Sequence, residues 1–243
     1  MKSYLFNVLA LCASVNLTAQ ECLPDFIGAQ YQLIQETSDE ASVKERHMQL
    51  WRMQGQVAHV YPQQQISEIW NQVRDGRVRP TRYFDQDKRA IEYAPGDLNR
   101  GKGDRNWQSK YQMIPDALLA SMTIQSDTGR GCQQEVVYQR QQEGEQLTIV
   151  WLPQQKLVKS FERQYQGQTS RWQLLDIITD PQVISAEFHQ REQYLSTDYA
   201  DIGDNETDPF FRKMINLGFV SHGASGFYDA SGNALESHHN HHH

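Results

Sequence analysis

Residues 133–190 read QQEVVYQRQQEGEQLTIVWLPQQKLVKSFERQYQGQTSRWQLLDIITDPQVISAEFHQ. Segments 133–140, 146–152, 157–165, 171–178 and 183–190 are short and rich in Val, Ile, Leu, Thr and aromatic residues, the composition that suits a pleated, half-buried surface. Glu143-Gly144, Pro153, Gly167 and Asp180-Pro181 punctuate them. Short strands at such spacing, with turn residues between them and no long helical stretch, predict an antiparallel meander.

Upstream the same grammar continues. Trp51, Met53, Val57 and Tyr61 alternate with Arg52, Gln54 and Gln56, a period of two. Val78–Phe84 and Ala90–Tyr93 are strand-like and are joined through Asp85-Gln86-Asp87; Pro95-Gly96-Asp97 closes the run. Ile66, Ile69, Trp70 and Val73 fit a helical turn, although Asp75-Gly76 beyond them fits a hairpin, so this segment stays open between helix and strand. Trp107–Met113 alternates, with Trp107, Tyr111 and Met113 on one face, and is expected to be a strand. Pro115 and Asp116 open a short helix toward Met122. Residues 24–36 space Phe26, Ile27, Tyr31, Leu33 and Ile34 helically, which predicts an N-terminal helix. Near the other end Asp208 caps a helix, Pro209 takes its first position, Phe210, Met214 and Leu217 make its apolar stripe and Gly218 stops it.

The first 19 residues have the form of a secretory leader: Lys2, an apolar run from Tyr4 to Ala13, and Leu17-Thr18-Ala19 as a cleavage site. A membrane span needs about 20 apolar residues, so the run is too short for a transmembrane anchor. Neither Cys12 after Leu11 nor Cys22 after Glu21 has the small preceding residue of a lipidation site. The expected organisation is a signal peptide at 1–19, one curved-sheet domain at 20–220, and a flexible Gly/Ser/His-rich tail at 221–243. Cleavage removes Cys12, and in an oxidising compartment Cys22 and Cys132 are expected to pair. The formal charge of −7 becomes more negative when Lys2 leaves, which argues against a nucleic-acid partner. The 30 glutamines are scattered and suit polar outer faces of strands.

A leader, an N-terminal helix and a long antiparallel run with short helical insertions resemble the envelope carriers of the LolA, LolB and RseB type. The segments Arg82–Leu98 and Thr197–Phe211 are also similar to parts of uncharacterised exported bacterial proteins. The first resemblance implies an α+β fold, a strongly curved antiparallel sheet or half-barrel around helices, whose concave side holds lipid or acyl chains. The resulting expectation is a soluble, non-enzymatic periplasmic protein that binds or carries an apolar or amphipathic ligand. A lipid, a lipid-modified ligand or an envelope protein would be its partner. Trp51, Trp107, Tyr111, Met113, Trp151 and Trp172 are the candidates to line or support the inner face.

The alternative is a transition-metal-binding or delivery protein. His238, His239, His241, His242 and His243, with His222, offer imidazoles suited to Zn, Cu or Ni, unless the run is an expression tag. His47, His59 and His189 lack the spacing of a structural zinc site. Asp198, Asp201, Asp204, Glu206 and Asp208 have oxygen ligands but not the order of a calcium loop, and fit a solvated loop before a helix. Ser225, His222 and Asp229 do not form a nucleophile elbow. Arg74, Arg77, Arg79, Arg82, Lys88 and Arg89 would attract anionic headgroups only if strand curvature gathered them.

Overall fold

A computed structural model describes residues 22–38, 42–73, 76–95, 97, 105–205, 207–216, 227–228 and 234–235. The leader, His222 and the histidines from 238 onward lie outside the described residues, as does much of the stretch expected to be a tail. Within that stretch, Phe227–Tyr228 pairs antiparallel with Ala234–Leu235.

Five strands follow one another as a meander from β2 (Ser42–Met53) through β3 (Gln56–Tyr61), β4 (Ile66–Gln72) and β5 (Val78–Phe84) to β6 (Arg89–Glu92). Two short helices come next, α1 (Trp107–Gln112) and α2 (Asp116–Ala120). A second meander runs through β7 (Thr123–Thr128), β8 (Glu135–Gln142), β9 (Glu145–Leu152), β10 (Leu157–Tyr165) and β11 (Gln168–Ile178). The first strand, β1 (Phe26–Thr37), joins the two, pairing antiparallel with β2 on one side and β11 on the other. After α3 (Pro181–His189), β12 (Leu195–Asp198) adds the parallel edge beside β6, and α4 (Pro209–Asn216) follows. The result is a twelve-stranded, almost wholly antiparallel sheet, a curved half-barrel with few helices.

Hairpin chemistry sets the register of both meanders. Glu143 and Gly144 both have positive φ, 49° and 80°, the two-residue turn whose twist matches that of the flanking strands. The same pair of left-handed residues recurs at Gln54-Gly55 and Gln166-Gly167. Three four-residue turns close differently, each ending on a left-handed residue: Gln65, Lys88 and Lys156.

The helix expected at 24–36 is strand β1. Its odd residues Ile27, Ala29 and Tyr31 are buried on one face, while Phe26 and Gly28 meet Trp51 and α3 on the other. Burial on both faces removes the alternation that identifies a strand and leaves apolar residues at helix-like intervals. β4 has the same cause: Trp70 and Ile69 are buried on opposite faces. Conversely, the strand expected at 107–113 is helix α1. Trp107 and Tyr111 are spaced to share either a strand face or a helix face, and Asn106 decides, its Oδ1 accepting from Ser109 N at 3.2 Å. The strand expected at 183–190 is the body of α3: Asp180 Oδ1 accepts from Gln182 N at 2.8 Å, Pro181 takes the first turn, and Ile184 and Phe188 are buried one turn apart. The cap and proline expected at Asp208-Pro209 are present, with Phe210 N bonded to Asp208 Oδ1 at 2.8 Å. Cys22 and Cys132 form the expected disulfide, with Cα atoms 5.4 Å apart and a sequence separation of 110.

Candidate functional site

Cross-strand register assigns every strand residue to one of two faces. The inner face carries α1, α2 and α4. Next to α1 and α2 lie Ile27, Ala29 and Tyr31 of β1, Met48 and Leu50 of β2, Trp70 of β4, and Ile149, Trp151 and Phe161 of the second meander. Ile114, Leu119 and Met122 from the helical segment are buried against them. Further along, Phe210, Phe211 and Met214 of α4 pack on Phe84, Ile91 and Tyr93. The outer face carries α3, whose Ile184 and Phe188 bury Trp51, Ala58, Val60 and Ile69.

Five of the six aromatic and apolar candidates therefore share the inner-face cluster. Trp151 is buried in it, and Trp107, Tyr111, Met113 and Trp172 are half-buried at its margin. Trp107, Tyr111 and Met113 belong to the helical cover and face the sheet. Trp51 corrects the expectation: it follows Leu50 and precedes Arg52, both inner, so the pleat turns it outward beneath α3. A Cβ on its cross-strand neighbour Gly28 would clash with the Trp51 ring, so the absence of a side chain there makes room for the indole.

One lateral row of the inner face is apolar across five strands: Leu33, Trp172, Phe161, Ile149 and Tyr138, each opposite the next in the ladder. Phe161 and Trp172 stack with centroids 4.4 Å apart and planes 21° from parallel. The middle of the row is closed off, Ile149 being fully buried, while Leu33, Trp172 and Tyr138 remain partly open to solvent.

Polar anchors hold the cover down. Arg52, an inner-face residue with no exposed surface, donates Nε to Tyr111 O at 2.6 Å, Nη1 to Gln155 O at 2.7 Å and Pro24 O at 3.1 Å, and Nη2 to Lys156 O at 2.6 Å. Its guanidinium also lies 4.0 Å from the Tyr111 ring centroid. Burial pushes its pKa down to about 10, which leaves it charged at neutral pH. Tyr111 OH donates to Asp25 Oδ1 at 2.6 Å, and Gln155 Nε2 donates to Cys132 O at 2.5 Å. Arg52 thus ties the end of α1 to the disulfide-linked start of the chain and to the β9–β10 turn. One residue earlier in α1, Lys110 O pairs with His59 Nε2 at 2.8 Å. Burial pushes the His59 pKa down to about 3, so the ring is neutral and the carbonyl makes Nε2 the protonated nitrogen.

Arg74 lies outside the described residues, and the other basic candidates do not gather. Arg82 is buried and paired with Glu68, Nε to Oε1 at 2.9 Å. Arg89 pairs with Asp208 at 2.9 Å and lies 4.7 Å from the Phe210 ring centroid. These two are spent on internal contacts and do not form one basic patch. Among the described residues no group of three or more His, Cys, Asp or Glu side chains is placed to hold a metal ion. Asp198 caps a short turn through Ala200 N, and Asp208 caps α4, as a loop leading into a helix requires.

Sequence reasoning missed Arg52 and His59, which sit at inward positions of otherwise apolar strands. It also missed a polar cleft of about 320 Å³ lined by Ser121, Thr123, Gln125, Gln139, Arg140, Gln141, Gln146 and Leu147. No described helix is long and apolar enough to cross a membrane.

No protein-family model matches the chain, and no curated protein matches it. Among solved structures it is similar to PNGF-II at 8% identity and a TM-score of 0.35, over 65% of this chain and 30% of that one. It is similar to the Pseudomonas aeruginosa MucA/MucB complex at 14% identity and a TM-score of 0.31, over 64% of this chain and 52% of that one. It is also similar to a LolA superfamily protein from Nitrosomonas europaea at 7% identity and a TM-score of 0.30, over 65% and 88%. The chain spans under a third of the PNGF-II chain it matches.

Proposed function

We propose that this is an envelope protein that binds or carries an amphipathic ligand, taking the ligand's apolar part on the inner face in exchange for α1 and α2. The observation that supports this most directly is the nature of the cover. Helices of six and five residues are too short to be stable alone, yet they shield an aromatic surface that would otherwise face water. They are tied by side-chain bonds to a few backbone carbonyls, and Met113 between them is held at φ 63°, a conformation costly for a residue with a side chain. Such a segment separates from the sheet at a modest cost when another apolar group takes its place. The Cys22–Cys132 bond and the leader-like first residues support an oxidising envelope compartment.

Native mass spectrometry of protein purified from the envelope tests this directly. A lipid or acyl adduct near one per chain is expected, and long-chain amphiphiles should displace an apolar fluorescent dye from the delipidated protein. Absence of both adduct and dye binding would remove the reading.

A further inference from the structure

The row beside the apolar row, one step nearer the open end of the sheet, runs Lys44, Gln35, Ser170, Arg163, Leu147, Arg140. Arg46 stands opposite Leu33 at the end of the apolar row itself. Four cations therefore border the aromatic surface in a chain whose formal charge is −7. Glu145 stands between two of them and is shared: Oε2 takes Arg140 Nη2 at 2.7 Å and Oε1 takes Arg163 Nε at 2.6 Å. Burial alone would raise the Glu145 pKa, but the two guanidinium bonds outweigh it and hold the carboxyl below its ordinary range. Glu36 and Glu162, which bracket Arg171, lie on the opposite face and do not neutralise this border. Arg140 and Arg163 keep 27% and 35% of their side-chain surface exposed, enough for a second acceptor to reach them.

Arg140 and Leu147 are among the lining of the 320 Å³ cleft, and Arg140 Nη1 lies 3.3 Å from Ser121 Oγ; Thr123, Gln139, Gln141 and Gln146 of the same lining stand on the outer face of the ladder. Leu147, buried at the cleft's edge, stands in the register between Arg163 and Arg140 and continues into the apolar cluster. Two partly exposed guanidiniums adjoining an apolar surface match an anionic phosphate headgroup joined to an acyl chain.

We infer that the ligand is an anionic phospholipid, its acyl chain on the Leu33–Tyr138 row and its phosphate between Arg140 and Arg163. This rests on the binding reading above and adds the head chemistry to it. Arg140 and Arg163 take the phosphate beside Glu145. A zwitterionic head would bring its own cation against the border and lose the difference.

The probes are lysophosphatidylglycerol and lysophosphatidylcholine of the same acyl length, used below their micelle concentrations to displace an apolar dye from the full protein. The anionic lipid is expected to displace dye at roughly tenfold lower concentration at low salt, the sum of two or three partly exposed ionic contacts. The ratio should fall toward one in high salt, because exposed charges are screened. In Arg140→Gln/Arg163→Gln, with the fold checked by circular dichroism, the anionic lipid should weaken to the level of the zwitterionic one, whose own curve stays put. Equal displacement by both lipids in the unmodified protein, or a ratio that survives the double substitution, overturns the headgroup assignment and leaves apolar binding intact. Displacement by neither removes apolar binding and the headgroup assignment together.

Discussion

Arg52→Leu is the substitution from which most follows. Arg52 has no exposed surface and donates to four backbone carbonyls, those of Tyr111, Gln155, Pro24 and Lys156, at 2.6 to 3.1 Å. Those acceptors belong to the backbone, so no second substitution removes them, and leucine leaves each to find water or remain unpaired. An orphaned buried acceptor costs about 1–3 kcal/mol, and bonds from a charged donor sit near the upper end. Two effects reduce the sum: the guanidinium's own desolvation cost disappears, and carbonyls at chain turns relax toward solvent. A net loss of about 3–5 kcal/mol remains, the range found when one side of a buried charged network is removed. For a domain of this size each kcal/mol moves Tm by about 2–4 °C, so a fall of roughly 6–20 °C is expected.

The loss should be uneven, because Tyr111 O is the bond that fastens α1. Release of the cover should make Arg52→Leu bind an apolar dye more tightly than the unmodified protein does, at a temperature where both are folded. Arg52→Lys, which keeps the charge but presents one nitrogen in place of a fork, should fall between them. Urea and thermal unfolding followed by circular dichroism, with dye titration at 20 °C, give both numbers. A Tm within about 2 °C of the parent would refute the assigned role of Arg52. A large destabilisation with unchanged dye affinity would show that Arg52 supports the domain without restraining the cover.

Three further outcomes are expected. Replacing Cys22 and Cys132 by serine reopens a long loop of the unfolded chain, and in the chain-entropy treatment this lowers stability by up to about 4–5 kcal/mol, read as a lower urea midpoint with an altered slope; an unchanged midpoint contradicts it. Gly28→Val places a side chain against the Trp51 ring and should cost about 1–3 kcal/mol by overpacking, whereas Gly28→Val on a Trp51→Ala background should cost less than the two changes separately. His59 is held neutral in the folded protein with a pKa of about 3 against an ordinary 6.5. Its contribution is therefore complete above pH 6.5 and lost as pH falls toward 3, at up to roughly 1.4 kcal/mol per pH unit, and His59→Gln should flatten the stability profile across that window.

Strands β8 to β11 of the second meander were legible because each is buried mainly on one face and each turn between them carries its own signal. Glu143-Gly144 and Gln166-Gly167 mark two-residue turns, and Pro153 opens a four-residue one. The centre of the sheet was not legible, for the reason that makes it the centre. β1 and β4 are covered on both faces, so Ile27 and Phe26, or Trp70 and Ile69, appear as adjacent apolar residues and not as alternation. The two helices taken for strands failed through their caps. Asp180-Pro181 has the same arrangement as Asp208-Pro209, yet only the second was read as a helix start, and Asn106 went unread before α1. Of the site, composition located the aromatic residues but not their sides. Trp51 and Arg52 are neighbours in sequence and face opposite ways, so the pleat decides which is a core residue under α3 and which reaches the cover.

The anchors of the cover also determine what a ligand must overcome. Ile114, Leu119 and Met122 contribute apolar contact with the sheet, and an acyl chain can replace such contact almost one for one, because hydrocarbon is as good a neighbour for Trp151 or Phe161 as a side chain is. That exchange is close to neutral. What it does not replace is the directional set: Arg52 to Tyr111 O, His59 to Lys110 O, and Tyr111 OH to Asp25. These bonds exist only while α1 is seated, so their sum sets the ratio of closed to open forms, and a ligand's apparent affinity is reduced by the fraction of molecules that are open. Substitutions in this set should therefore tighten binding of any apolar ligand by the same factor, whatever its head. Substitutions at Arg140 and Arg163 should separate one headgroup from another and leave that common factor alone. The two groups of residues thus act on affinity and on selectivity independently, and a double variant of Arg52 and Arg163 should show the two effects as a simple product.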